Sequence, residues 1–379
     1  MSRVPSTVRA CSLAFVGFGL AAASLGPILP GIRHDLGVGD VGTGLAIAGA
    51  GAGWGSGVLT SSRLSRARGR RTSFAAGTTL LSIGLLLLAA APIGAIVVFA
   101  SFLFSFGGGL LTGAANAALA EADDGSLAMA NGFFGVGAIT GPLIASALVG
   151  IGPGWRAAPA LAAAFCALTI PLARSLPPGK LPPSPERHGA RGLLRRRLYV
   201  LLVAVIAIDI AAEAGFIGWI ATYADEARGW PDWLAAGSPT AFWTGVTVAR
   251  FLGVRAHFAP WTLIPMTTTA ATAVLLLLVI PGAPAALALI FIVGAGCGNV
   301  FPVVVATSAR NFPNDVDTGT AIMLGATGTL EMVVPLVLGS ASALAGTTAA
   351  GIVVVAITFG LASMAAVIAT VSGRRPAYT

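Results

Sequence analysis

Glutamine is absent from the chain, and lysine occurs once, at Lys180. Only 9% of the 379 residues are charged, against roughly 25% in an ordinary soluble domain. That shortage excludes a soluble globular protein, because 56% of the residues are hydrophobic and too few polar groups remain to cover them. Cysteine is scarce too. Cys11, Cys166 and Cys297 lie far apart in apolar stretches, without metal-ligand spacing, and read as small packing residues. His34, His188 and His257 fall in or beside loops and have no partner at metal spacing. No nucleotide-binding loop and no Ser/His, Asp/Asp or His-metal constellation is present, so neither an enzyme nor a cofactor is implied. The net charge of +8 does not signal nucleic acid, since the basic residues fall between apolar runs rather than along one face.

What is abundant is apolar length. The mean hydropathy is +0.89. A helix needs about 20 residues to cross a ~30 Å hydrocarbon core. Twelve such segments are predicted, at about 8–30, 41–60, 72–91, 93–119, 127–150, 156–174, 198–224, 239–254, 260–281, 285–308, 319–343 and 348–372. The first continues to about Pro30 without a small-residue cleavage site and reads as a retained helix. With the N-terminus placed in the cytoplasm, nineteen of the 22 Lys and Arg fall on the inner side, leaving Arg33, Arg156 and Arg228 outside. The expectation is an all-α polytopic protein of the cytoplasmic (inner) membrane, monomeric, lipid-embedded, with both termini inside.

The Pro-rich, basic stretch "RSLPPGKLPPSPERHGARGLLRRR" divides the spans evenly. It gives an N-terminal six-helix half at 1–174, a cytoplasmic linker at 175–197 and a C-terminal half at 198–379. The halves echo each other, with "GGGLLTGAANAALA" (107–120) lining up with "GAGCGNVFPVVVAT" (294–307). Duplicated six-helix halves with a site at their interface are a transporter architecture.

The loop "GSGVLTSSRLSRARGRR" (55–71) resembles the Gly-x-x-x-Asp-Arg-x-Gly-Arg-Arg motif of the major facilitator superfamily, with Ser61 or Ser62 where the motif has Asp. Further stretches are similar to its fucose–proton symporter branch. They are "GGGLLTGAANAALAE" in span 4, "ANGFFGVGAITGPL" in span 5, Glu213, Gly215, Trp219 and Tyr223 in span 7, "FWTGVTVAR" in span 8 and "GNVFP" in span 10. The resemblance implies two pseudo-symmetric six-helix halves and solute transport by alternating access. It implies a basic cytoplasmic gate at Arg63, Arg70 and Arg71, with Arg250 as the second-half counterpart. An acid often precedes the Ala-Asn pair of span 4 in sugar–proton members; here Thr112 stands there.

Ionisable groups at bilayer depth are costly and face a cavity or a partner. Glu213 lies mid-span and is the expected proton carrier. Asp209 is one turn earlier on the same face and can share a proton with it. Glu331, midway through span 11, is a third acid and the expected tuning group. The alternatives are a neutral Glu213 hydrogen-bonded to a neighbouring helix, an Asp209 beside an arginine, and a Glu331 paired with a polar group of span 8 or span 10. The expected solute ligands are Asn116, Thr112, Asn131 and Asn299, with Trp219 and Trp243 as stacking platforms; packing bonds between helices are the competing role for the amides. The fold resemblance favours proton-coupled uptake of a sugar-like solute. The three acids and scarce amides favour proton-driven export of an amphipathic or cationic compound, or a site for sodium. The paired glycines of the antiporter signature are replaced by Ala145 and Ser146, which weakens export.

Overall fold

A computed structural model of the chain describes residues 6–120, 124–152, 154–179, 190–253 and 259–373. Among them every regular element is helical. Twelve long helices follow the twelve predicted spans: α1 Ser6–Leu36, α2 Asp40–Arg68, α3 Arg70–Ala90, α4 Gly94–Ala120, α5 Asp124–Gly150, α6 Ala157–Thr169, α7 Arg197–Glu226, α8 Pro239–Gly253, α9 Leu263–Val279, α10 Ala283–Asn311, α11 Val316–Ala345 and α12 Ala349–Gly373. α6 tightens at its end into a 3₁₀ segment, Ile170–Ser175, and α10 is interrupted between Cys297 and Val300. Ten of the described helices are long and apolar enough to cross a membrane by length and composition. α8 falls short with 15 residues, and α2 is rich in glycine and serine.

The helix junctions are legible in the glycines. Gly69 joins α2 to α3 at φ 91°, a conformation that a side chain rarely tolerates. Gly346 ends α11 in the left-handed region, with its N–H bonded back to the Ser342 carbonyl.

The chain forms two compact units. The first comprises Met1–Pro183 together with Ile220–Thr240, and the second Ser184–Trp219 together with Ala241–Thr379. The division runs through α7, whose last turns belong to the first unit.

In the first unit α4 is clasped by α2 and α3. A Cβ on Gly109 would overlap the Trp54 carbonyl of α2, and one on Gly107 would overlap the Leu81 amide of α3. The second unit repeats this pattern. A Cβ on Gly298 would lie 2.8 Å from the Val246 carbonyl of α8, and one on Gly296 would lie 2.9 Å from the Met266 carbonyl of α9. Gly53 against the Phe102 carbonyl has its counterpart in Gly245 against the Phe291 carbonyl. These contacts pair Gly107 with Gly296 and Gly109 with Gly298. The line-up read from the sequence, which paired Gly107 with Gly294, is therefore two residues out of register.

Ser61 is one of the two serines that stand where the resemblance puts the motif aspartate. It is buried, lies 3.1 Å from Ser73 Oγ on α3 and donates to the Leu110 carbonyl of α4 at 3.0 Å. Ser61 thus forms a neutral clasp across α2, α3 and α4. Ser62 is exposed and bonds within α2. Arg71 Nε donates to the Leu176 carbonyl at 2.8 Å, Arg70 is buried and Arg63 is exposed.

On the first unit's other end, the last turn of α7 and the short helix Asp232–Gly237 lie as a strap against α1 and α5. Arg33 donates to both oxygens of Glu226 at 2.6 and 3.1 Å, and to Thr43 Oγ1 at 2.9 Å. It also pairs with Asp40 at 2.8 Å. Ser146 Oγ donates to the Trp233 carbonyl at 2.6 Å. Nearby, Trp155 donates its indole N–H to Asp35 at 2.8 Å, with the Arg156 guanidinium 4.3 Å above the ring.

Candidate functional site

The second unit gathers ionisable groups from four helices. α7 presents Asp209 and Glu213 one turn apart, as helical periodicity requires. Asp209 is fully buried, and among the described residues neither carboxylate oxygen has a donor from the surrounding helices; the group facing it is Glu213. Glu213 is half-buried. The Cys297 thiol lies at the interruption of α10, and one ligand atom from each of Asp209, Glu213 and Cys297 lies within 4.8 Å of the other two. Arg250 of α8 and Glu331 of α11 are both close enough to Glu213 to act on it electrostatically. Glu331 is half-buried.

The interruption of α10 follows from one residue. Pro302 has no N–H, so the Gly298 carbonyl loses the donor that an uninterrupted helix would supply. Arg250 Nε fills the gap at 3.0 Å. In return Asn299 Nδ2 donates to the Ala249 carbonyl at 2.6 Å, and Gly253 leaves the room: a Cβ there would lie 2.6 Å from Asn299 Oδ1. These two bonds fix Arg250 beside the α7 acids.

Arg250, the expected second-half gate residue, turns toward α10 and Glu213. Trp219 is an expected stacking platform. It is fully buried, donates its indole N–H to the Thr348 carbonyl at 3.1 Å and packs beside Gly351. Asn299 spends its amide N–H on α8, and Thr112 is buried with its hydroxyl on the Gly109 carbonyl of its own helix. For Asn299 this bond is the competing packing role between helices. Trp243 is half-buried, edge-on to Phe242 with ring centroids 5.5 Å apart. Asn116 is exposed on α4. The Asn131 side chain lies outside the described residues, as do Glu121 and Asp123.

Cys297 is buried, in keeping with its reading as a packing residue, whereas the bond between Arg250 and α10 was not expected from the sequence. The available signal was Pro302 in "GNVFP", four residues after Gly298.

The family model of the Major Facilitator Superfamily matches residues 11–284. No curated protein matches the chain in sequence. Among solved structures, the nucleoside transporter NupG is similar at 13% identity and a TM-score of 0.76, over 97% of this chain and 99% of that one. A D-xylose-proton symporter is similar at 14% identity and 0.74, over 96% of each. The Escherichia coli fucose:proton symporter FucP is similar at 18% identity and 0.63, over 96% of this chain and 98% of that one.

Proposed function

Because the chain belongs to the Major Facilitator Superfamily, we propose that it is a secondary active transporter of the cytoplasmic membrane, taking up a small sugar-like solute with a proton carried by Glu213. The observation that carries this reading is the position of Glu213. It is a half-buried carboxyl on α7, flanked by a second acid and within electrostatic reach of one fixed guanidinium. Such a group has two low-cost states: protonated, or ionised beside Arg250. Switching between them is what coupling to a proton requires.

The structures to which the chain is similar support the solute class, since their names specify a nucleoside, D-xylose and fucose, the last two with a proton. Export of a cationic compound loses its motive here. Arg250 offsets the negative field that three acids would otherwise present. Both termini are assigned to the cytoplasm on the distribution of Lys and Arg.

The test is the Glu213→Gln protein in liposomes. A thermal-shift screen of pentoses, hexoses and nucleosides first identifies a ligand of the wild type. Glu213→Gln keeps counterflow exchange of that ligand and loses accumulation driven by an inward proton gradient. A sodium gradient run in parallel separates the two ions. Wild-type accumulation by Glu213→Gln removes the coupling role.

A further inference from the structure

We propose that Asp209, Glu213 and Cys297 form a binding site for one thiophilic divalent cation of the Zn²⁺ and Cd²⁺ class. The proposal rests on the geometry of these three side chains and not on the transport reading, although both use Glu213. Two carboxylates and a sulfur are a borderline-soft donor set, one that Zn²⁺ and Cd²⁺ favour over the hard cations Mg²⁺ and Ca²⁺. The three donor atoms already lie within 4.8 Å of one another. Bonds of about 2.0–2.3 Å to a tetrahedral ion place its ligands roughly 3.3–3.8 Å apart, so closure asks for about 1 Å of side-chain movement.

Asp209 is the independent sign that something is to be held there. Its carboxylate is fully buried, its oxygens take no hydrogen bond from the helices around it, and it points at the thiol and at Glu213. A shared proton between the two acids fills that need in one state, and a metal ion fills it in the other. Charge also balances. Two carboxylates and a thiolate carry three negative charges, which a divalent ion and the nearby Arg250 offset. Glu331 is the remaining ionisable group near Glu213. Binding expels the thiol proton and any proton shared by the acids, leaving through the partly exposed side of Glu213. The fourth position of the ion stays open to water.

The experiment uses the full chain in detergent with Cys11→Ser and Cys166→Ser, so that Cys297 is the single thiol. Titration with CdCl₂ is followed by thiolate-to-cadmium charge-transfer absorption. The expected result is a band that saturates at one ion per chain, is displaced by Zn²⁺, disappears in Cys297→Ser and needs at least tenfold more Cd²⁺ in Asp209→Asn. No band in the folded parent, or an undiminished band in Cys297→Ser, overturns the site; the parent result decides even if a variant fails to fold. Transport separates the two readings. A protein that binds Cd²⁺ while keeping proton-driven uptake at saturation keeps the metal site and loses the coupling role of Glu213. One that binds no Cd²⁺ but is uncoupled by Glu213→Gln loses the metal site alone.

Discussion

The strap formed by the end of α7 and the helix Asp232–Gly237 is tied to α1 through Arg33. Replacing Arg33 with alanine removes the bidentate bond to Glu226, the bond to Thr43 and the ion pair with Asp40. The Arg33 and Asp40 side chains are only 13% and 15% exposed, whereas Glu226 is 36% exposed and partly screened. An exposed ion pair contributes about 0–1 kcal/mol, and a hydrogen bond to a charged group about 1.5–3. Thr43 and Asp40 belong to α2, so only the Glu226 contact holds the strap; with screening it contributes about 1 kcal/mol, which shifts the ratio of released to seated strap by roughly fivefold. The assay places a cysteine at Ala235, which is fully buried on the strap helix, and follows its modification by a maleimide. The native cysteines are all buried and give a low background. Ala235→Cys is expected to react about fivefold faster with Arg33→Ala than without it. Glu226→Gln keeps an acceptor oxygen and gives a smaller acceleration, about twofold. A change below about twofold with Arg33→Ala would refute the reasoning and leave the strap held by packing alone.

Ser146→Ala removes the bond to the Trp233 carbonyl, worth about 1 kcal/mol, and should speed the same labelling about fivefold. Gly245→Ala drives a Cβ into the Phe291 carbonyl and should lower Tm by several degrees, from about 1–3 kcal/mol of overpacking, whereas Gly360→Ala, where the added Cβ meets nothing, should leave Tm unchanged. Pro302→Ala restores the missing N–H in α10. Amide exchange around Gly298–Val303 should slow by about tenfold as the helix closes and Arg250 loses its acceptor; unchanged exchange would sink that account. Cysteines at Arg187 and Arg228 are expected to be modified from opposite sides of the membrane, and modification from one side only is incompatible with twelve spans.

The helices were legible because each apolar run announces itself by length, and the breaks because Gly69 and Gly346 sit where only glycine is comfortable. The acids were legible for the same reason in reverse: Asp209, Glu213 and Glu331 stand out against an apolar background. What surrounds them was not. Trp219 looks like a sugar platform by residue type, yet its N–H is taken by Thr348, a residue distant in sequence. Asn299 and Arg250 satisfy backbone groups on each other's helices, a reciprocity that no local pattern encodes. The register of the internal repeat was misjudged because Gly294, Gly296 and Gly298 look alike in sequence. Each faces a different backbone neighbour only once α8 and α9 are in place.

The glycine seams also limit how either unit can deform. Where α2 meets α4, and where α8 meets α10, backbone lies against backbone with no room for a methyl group. Sliding one helix by a turn, about 5.4 Å, would bring a side-chain-bearing residue into a slot that accepts only hydrogen. These pairs therefore behave as splints of fixed register, and lubricated shear between them is ruled out. Flexure is left to the joints, where the backbone ladder lacks a bond: the gap before Pro302, and the points in α1, α5 and α11 that hold Pro27, Pro30, Pro142 and Pro335. A molecule built this way stores its compliance in a few proline-marked hinges, and substitutions there should alter speed more than stability.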